Sequence, residues 1–357
     1  MKHLNHTVLF AGAGLSALAG LPTTRELTKR FLSLGPTPAT NGPLQDLITA
    51  HLRTYWETVF SFRGNVTPSR EPSFEDHFTL LDLAANTGHH LGTRYSPRQL
   101  RAIRRLSIHR VFDILDSTFT PNANLTTYLA NLAQGAGNAV VTTNWDISIE
   151  RHLEACPYHY SIPMNRLDGA VHAPAGIEIL KLHGSSNWAY CDCCSRLFAF
   201  ETGKGALHTH IFIENTDFTL WDVPPGVEIH LEGDPRHKKC PHCDVRLSSR
   251  VATFSYVKVL DFVHFQTIWD HAFKALRDAS HWVFVGYSLP EADFQLRHML
   301  KSAQLARSDD SGLTITIVTR NDDDTVDRFK RFFGDSLGAV VRNGFDEWLT
   351  SQHQQAM

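Results

Sequence analysis

Five short runs of apolar and β-branched residues punctuate the chain: Thr7–Ala11, Asn138–Thr142, Glu178–Leu182, His281–Val285 and Leu313–Val318. Near-continuous apolar runs of this length predict strands buried on both faces, and hence a parallel sheet. Helical periodicities lie between them, as over Phe262–Ala279 and Glu291–Ala306. Strands alternating with helices predict a doubly wound α/β fold. Each run leads into small or polar residues: Gly12-Ala13-Gly14, Thr143-Asn144-Trp145-Asp146, His183-Gly184-Ser185, Gly286-Tyr287-Ser288 and Thr319-Arg320-Asn321. Ligands of such folds sit outside the carboxyl ends of the strands, so these five clusters are expected at one sheet edge.

Two long stretches interrupt the pattern. Pro36 to Asn124 reads mainly as helices with Pro and Gly breaks, a helical insertion. Ser186 to Thr253 holds five of the six cysteines, many histidines and the turn Pro224-Pro225-Gly226, a separate small module. The expected division is thus a sheet domain over 1–35, 125–185 and 254–350, a helical insertion over 36–124 and a metal module over 186–253. The polar tail Ser351–Met357 is expected to fray.

Composition narrows the function. The 357 residues carry a net charge of −3 and are 42% apolar and 20% charged, ordinary for a soluble globular protein. With no basic field, sequence-independent binding to nucleic acid or an anionic membrane is disfavoured. No apolar run reaches the length of a membrane span, and Met1–His6 is too short and polar for a signal peptide, so a cytoplasmic location is expected.

Cys191-Asp192-Cys193-Cys194 and Cys240-Pro241-His242-Cys243 each hold a Cys-x-x-Cys pair. Two such pairs can close one tetrahedral zinc through Cys191, Cys194, Cys240 and Cys243, a structural site with no open position. Cys193 and His242 are substitute ligands, the bland alternative is reduced unligated thiols, and Cys156 reads as a lone core thiol. Gly12-Ala13-Gly14-Leu15-Ser16 suits a phosphate at a helix start or an ordinary turn. Asn144 and Asp146 suit either a carboxamide and a developing positive charge or an Asx turn opening a helix. His183, placed at the ligand edge, suits a general base or a satisfied structural histidine.

In this order, the motifs Gly12-Ala13-Gly14-x-Ser16, Gly20-Leu21-Pro22-x-x-Arg25, Thr143-Asn144-Trp145-Asp146, Leu182-His183-Gly184, the two Cys-x-x-Cys pairs, Gly286-x-Ser288 and Asn321 resemble the sirtuin (Sir2) superfamily. The form Gly286-Tyr287-Ser288-Leu289-Pro290-Glu291-Ala292-Asp293 is closer to the bacterial SIR2-like branch. The resemblance implies a Rossmann-like NAD+ domain with a smaller zinc-binding and helical part. It implies NAD+ as co-substrate and cleavage of the nicotinamide–ribose bond. Gly12, Ala13, Gly14, Ser16 and Arg25 would hold phosphates and ribose. Asn144 and Asp146 would hold the nicotinamide ribose and carboxamide, His183 would be the base, and Gly286, Ser288 and Asn321 would hold the adenosine half.

Three departures bear on the reaction. Deacylases of the family carry Phe where this chain has Thr24 and Gln where it has Thr143. Their Phe-Gly-Glu peptide-binding stretch appears here as Phe254-Ser255-Tyr256. A threonine at position 24 leaves the ribosyl carbon open to water, which favours NAD+ hydrolysis to nicotinamide and ADP-ribose, by family analogy in anti-phage defence. The alternative is an NAD+-dependent protein deacylase, for which Arg250–Lys258 would have to form a peptide-binding edge strand. A non-catalytic nucleotide sensor is a third reading. SIR2-like effectors often assemble, so a homo-oligomer or a partner defence protein is expected, with the helical insertion as contact surface.

Overall fold

The structure is a computed structural model, described here over residues 6–31, 42–60, 72–165, 175–200, 239–249, 251–256, 263–307 and 312–355. The expected turn Pro224-Pro225-Gly226 lies outside these residues. So do parts of the helical insertion and of the metal module.

A seven-stranded parallel sheet forms the centre, in the order β3-β4-β2-β1-β7-β8-β9. Its strands are β1 (Thr7–Ala11), β2 (Ala139–Thr142), β3 (Tyr158–Tyr160), β4 (Ile177–Lys181), β7 (His281–Val285), β8 (Thr314–Val318) and β9 (Leu337–Val341). All five expected strands are present, within a residue or so of their expected ends. β3 and β9 are additions at the two edges. A separate antiparallel pair, β5 (Trp188–Tyr190) and β6 (Leu197–Ala199), belongs to the cysteine-rich region.

The period of two in a strand explains the layering. In β1, Val8 and Phe10 face one core and Leu9 and Ala11 the other. The first core is closed by α8 (Val263–Asp278), α9 (Phe294–Leu305) and α10 (Asp323–Phe333), through Ile268, Leu300 and Phe329. The second is closed by α1 (Ala13–Ala17), α6 (Ala123–Gln134), α7 (Ser148–His152) and α11 (Phe345–Gln355), through Leu15, Leu129, Ile149 and Trp348. Because α11 buries Phe345 and Trp348 against that face, the helix runs on to Gln355, well into the tail expected to fray.

A third core joins α2 (Thr24–Phe31), α3 (Gly42–Val59), α4 (Phe74–Thr87) and α5 (Pro97–Ser117). The longest of these, α5, opens on a capping box between Ser96 and Gln99, with Pro97 in the first turn, where its missing N–H is harmless. Trp145 and Val251 also enter this core, so it meets the sheet at the carboxyl ends of the strands. No helix among the described residues is long and apolar enough to cross a membrane.

Candidate active site

The carboxyl ends of β1, β2, β4 and β7 surround one cavity. Ala13, Ser16, Asn144, Asp146, His183, Gly286 and Ser288 all line it. The helical side contributes Thr24, Leu27, Glu75 and Leu115, and the segment 252–254 closes a further wall. The cavity, partly open to solvent, has a volume of about 170 Å³. That is the scale of a cavity that takes up a single ring; one of about 150 Å³ admits benzene. A larger ligand would extend along the open loops.

The first glycines have a specific packing reason. The N–H of Gly14 donates to the Gly286 carbonyl at 2.9 Å, and that of Gly12 to Val285 at 3.0 Å. A Cβ on Gly14 would lie 2.6 Å from the Gly286 Cα. Gly286 itself has φ +64, a left-handed conformation natural to glycine. Gly12 and Gly14 therefore let two strand-to-helix turns touch, and they line no part of the cavity themselves. Arg25 is exposed on the first turn of α2 and also lies outside the lining. Asn321, at φ +50, is exposed beyond β8, its N–H donating to the Arg342 carbonyl at 2.8 Å. Sequence order places Arg25 and Asn321 at the correct edge, but the fold does not bring their side chains to the cavity.

Asn144, Ser16 and Asp146 form a linked set. Asn144 Nδ2 donates to Ser16 Oγ at 3.0 Å, and the Ser16 hydroxyl donates to Asp146 Oδ2 at 2.9 Å. The other carboxylate oxygen, Oδ1, accepts from the Ser148 N–H at 3.0 Å. The Asx turn and the cavity-facing role thus use different oxygens of one buried side chain. Thr142 anchors the turn below: its hydroxyl donates to the Ala11 carbonyl and accepts from the Asn144 N–H. His183 is buried beside them, with the Trp269 ring 6.4 Å away, and its carbonyl accepts from the Ala252 N–H at 2.9 Å.

Trp145, Tyr287, Asp293 and Phe254, present in the quoted motifs but given no role there, also line the cavity, as do Glu75 and Thr253, which no motif marks. Trp145 donates from Nε1 to the Ala252 carbonyl at 3.0 Å and packs on Phe254 with ring centroids 4.7 Å apart. Asp293 accepts from the Tyr287 hydroxyl at 3.1 Å, and burial with that carboxylate nearby pushes the phenol well above its ordinary range. Asp146, Glu75 and Asp293 are all lining residues, while none of the described lining residues is Lys or Arg. That charge balance favours a cationic group over an anionic one.

Cys191, Cys194, Cys240 and Cys243 come together with all four sulfurs within 4.8 Å of one another. Closest are Cys191 to Cys243 at 3.3 Å and Cys194 to Cys240 at 3.6 Å. Sulfurs at about 2.3 Å from a tetrahedral zinc would stand roughly 3.8 Å apart, so the set fits that ion. Desolvation acts against ionisation of Cys191, but N–H groups of Cys194 and Cys193 and the Cys243 thiol outweigh it, bringing this thiol down to about 7. Cys193 is exposed and outside the cluster, and His242 stacks on Phe198 instead. Cys156 is a free, half-buried thiol.

No protein-family model and no curated protein matches the chain. The chain is similar to solved Sir2 structures. A Sir2–p53 peptide–NAD+ structure is 16% identical, covering 98% of this chain and 93% of that one, with a TM-score of 0.44. A Sir2 homologue in complex with NAD is 15% identical, covering 98% and 88%, with a TM-score of 0.43.

Proposed function

We propose that this protein is a Sir2-like enzyme that hydrolyses NAD+ to nicotinamide and ADP-ribose. The observation that carries the reading is convergence. Residues from four separate motifs, Ala13 and Ser16, Asn144 and Asp146, His183, and Gly286 and Ser288, meet at one cavity although they span most of the chain. A space of about 170 Å³ suits a nicotinamide ring, and the lining carboxylates suit the positive charge of that ring.

Loss of nicotinamide builds oxocarbenium character on the ribose, as in glycoside cleavage. Asp146, held at both oxygens, is a fixed negative charge facing that development, and Asn144 orients the Ser16 hydroxyl that holds it. Water adds to the ribosyl carbon as the carbon–nitrogen bond breaks, and its electron pair leaves on the nicotinamide nitrogen. His183 takes the proton of the attacking water. The four-cysteine site would hold a zinc that braces the cysteine-rich fold and has no part in the reaction.

Of the stretch Arg250–Lys258 expected to form an edge strand in a deacylase, residues 251–256 are among those described, and they favour hydrolysis. This segment forms no strand among the described residues. Several of its groups are already bonded: Ala252 N–H to the His183 carbonyl, Tyr256 N–H to Thr79 Oγ1 and Thr253 Oγ1 to Asp82 outside the segment, and Ser255 N–H to Thr253 Oγ1 within it. Phe254 stacks on Phe74 of α4 at 5.5 Å. Val251, Ala252, Thr253 and Ser255 are buried, leaving little edge for an acyl-lysine peptide to pair with.

The deciding experiment is incubation of purified protein with NAD+, with and without an acetyl-lysine peptide. Release of ADP-ribose without peptide is expected, lowered by roughly 10²–10⁴-fold in His183→Ala, the scale of general-base loss. Nicotinamide release that requires the peptide, with O-acetyl-ADP-ribose as product, would establish the deacylase instead. A role in defence against phage would be consistent with NAD+ depletion.

A further inference from the structure

A lysine ends a central strand of the sheet, where the chain is otherwise apolar. Lys181 closes β4, in register with Thr142 of β2, and it and Glu150 of α7 are both fully buried. Lys181 Nζ donates to Glu150 Oε1 at 3.0 Å and also to the main-chain carbonyl of Asp146. The same Glu150 oxygen accepts from the Tyr160 hydroxyl of β3 at 3.0 Å. Tyr160 in turn accepts from Asn187 Nδ2 at 3.3 Å, and Asn187 Oδ1 accepts from the Ser185 hydroxyl at 2.7 Å. The chain of contacts therefore starts two residues after His183 and ends at the backbone of Asp146. A direct main-chain bond, Ser186 N–H to the Trp145 carbonyl at 2.7 Å, ties the same two turns.

A buried ion pair of this kind adds little stability over an apolar pair of the same shape, because desolvation offsets the attraction. Its partial satisfaction makes the point sharper: Glu150 Oε2 has no hydrogen-bond partner among the described residues. What such a network does supply is a single geometry. We infer that Ser185, Asn187, Tyr160, Glu150 and Lys181 form a positioning network that fixes the His183 turn relative to the Asn144–Asp146 turn. None of its side chains lines the cavity. They act through the groups they hold, and a displacement of about 1 Å in reacting groups can lower turnover about 10²-fold. The inference rests on the NAD+ reading for its kinetic part alone.

The test compares the wild-type protein with Lys181→Met/Glu150→Gln, which removes both charges and keeps the shape, and with Tyr160→Phe, which deletes one hydroxyl. Two quantities are read: hydrogen exchange at the amides of Asn144–Ser148, and NAD+ turnover against ADP-ribose affinity. The double variant should exchange at least about tenfold faster at that turn, with kcat lower by about 10–10²-fold and affinity within about threefold. Tyr160→Phe should change both in the same direction by less. Unchanged exchange at the turn overturns the positioning role, whatever the activity. Faster exchange with unchanged kcat overturns its bearing on catalysis. Should the double variant fail to fold, Tyr160→Phe decides by the same two criteria. A wild-type protein that leaves NAD+ intact would overturn the functional reading, and the exchange measurement would still judge the network.

Discussion

At the scale of single residues, the proposed reading turns on Thr24, which would separate the two chemistries. It begins α2, is half-buried and lines the cavity together with Leu27 and Phe254. On that reading, a small polar side chain there would leave one face of the site open to water. Thr24→Phe should cover that face and slow ADP-ribose release at least about tenfold, by water exclusion. Ser288 and Gly286 lie on a different strand end, so ADP-ribose affinity, read by calorimetry, should stay within a few-fold. Hydrolysis at the wild-type rate in that variant would falsify the open-site account. Gly14 and Gly286 illustrate how a residue can be found for one reason and needed for another. Glycine spacing marks a phosphate loop in a sequence, yet here Gly14 serves first to let two turns come into contact.

At the scale of elements, α4 is held to its neighbours by a buried histidine. His77 accepts at Nδ1 from Trp56 Nε1 at 2.9 Å, and its Nε2 lies 2.9 Å from the Ser107 hydroxyl. Burial pushes its pKa down from 6.5 to about 3. Between those values the unfolded chain binds a proton that the folded chain refuses, so stability from this residue is full above pH 6.5 and falls as the pH drops. Acidification from pH 7 to pH 5 should therefore cost roughly 2 kcal/mol through His77 alone. Urea unfolding at the two pH values should show that loss in the wild-type protein and a smaller one in His77→Gln. An equal loss in both would mean that other groups carry the acid sensitivity. Two helices between strands, α8 and α9, were readable by range, whereas those of the insertion were readable only as a class, because their shared core is aromatic and irregularly spaced. The five central strands were readable because burial on both faces leaves continuous apolar runs. Their edge neighbours were not: Tyr158–Tyr160 is three half-buried residues, and Leu337–Val341 carries a glycine and an exposed alanine. The same logic divides the site. Asn144, Asp146 and His183 follow strand ends and could be named, whereas Phe254, Glu75 and the Lys181 network become neighbours only through tertiary packing.

At the scale of the whole molecule, the cavity is where the sheet and the helical core meet. One wall is the sheet edge at Ala13, Asn144, His183 and Gly286; the other carries Leu27, Glu75 and Leu115. Between them runs 252–254, fastened to α4 by Thr253 on Asp82 and Phe254 on Phe74, and to the sheet by Ala252 on His183. A ligand filling this space should brace both sides at once. Binding to the folded chain alone stabilises by about 2.7 kcal/mol at one hundred times the dissociation constant. ADP-ribose at that excess should therefore raise the unfolding midpoint. Hydrogen exchange gives the spatial test, since protection reports local opening. Amides of Ser16, His183 and Gly286 should slow, and so should those of Ala252–Ser255 and the first turns of α4. Protection confined to the sheet-edge loops would mean that the ligand sits on the sheet alone. The helical wall, Thr24 included, would then lie too far from the ribosyl carbon to govern access of water to it.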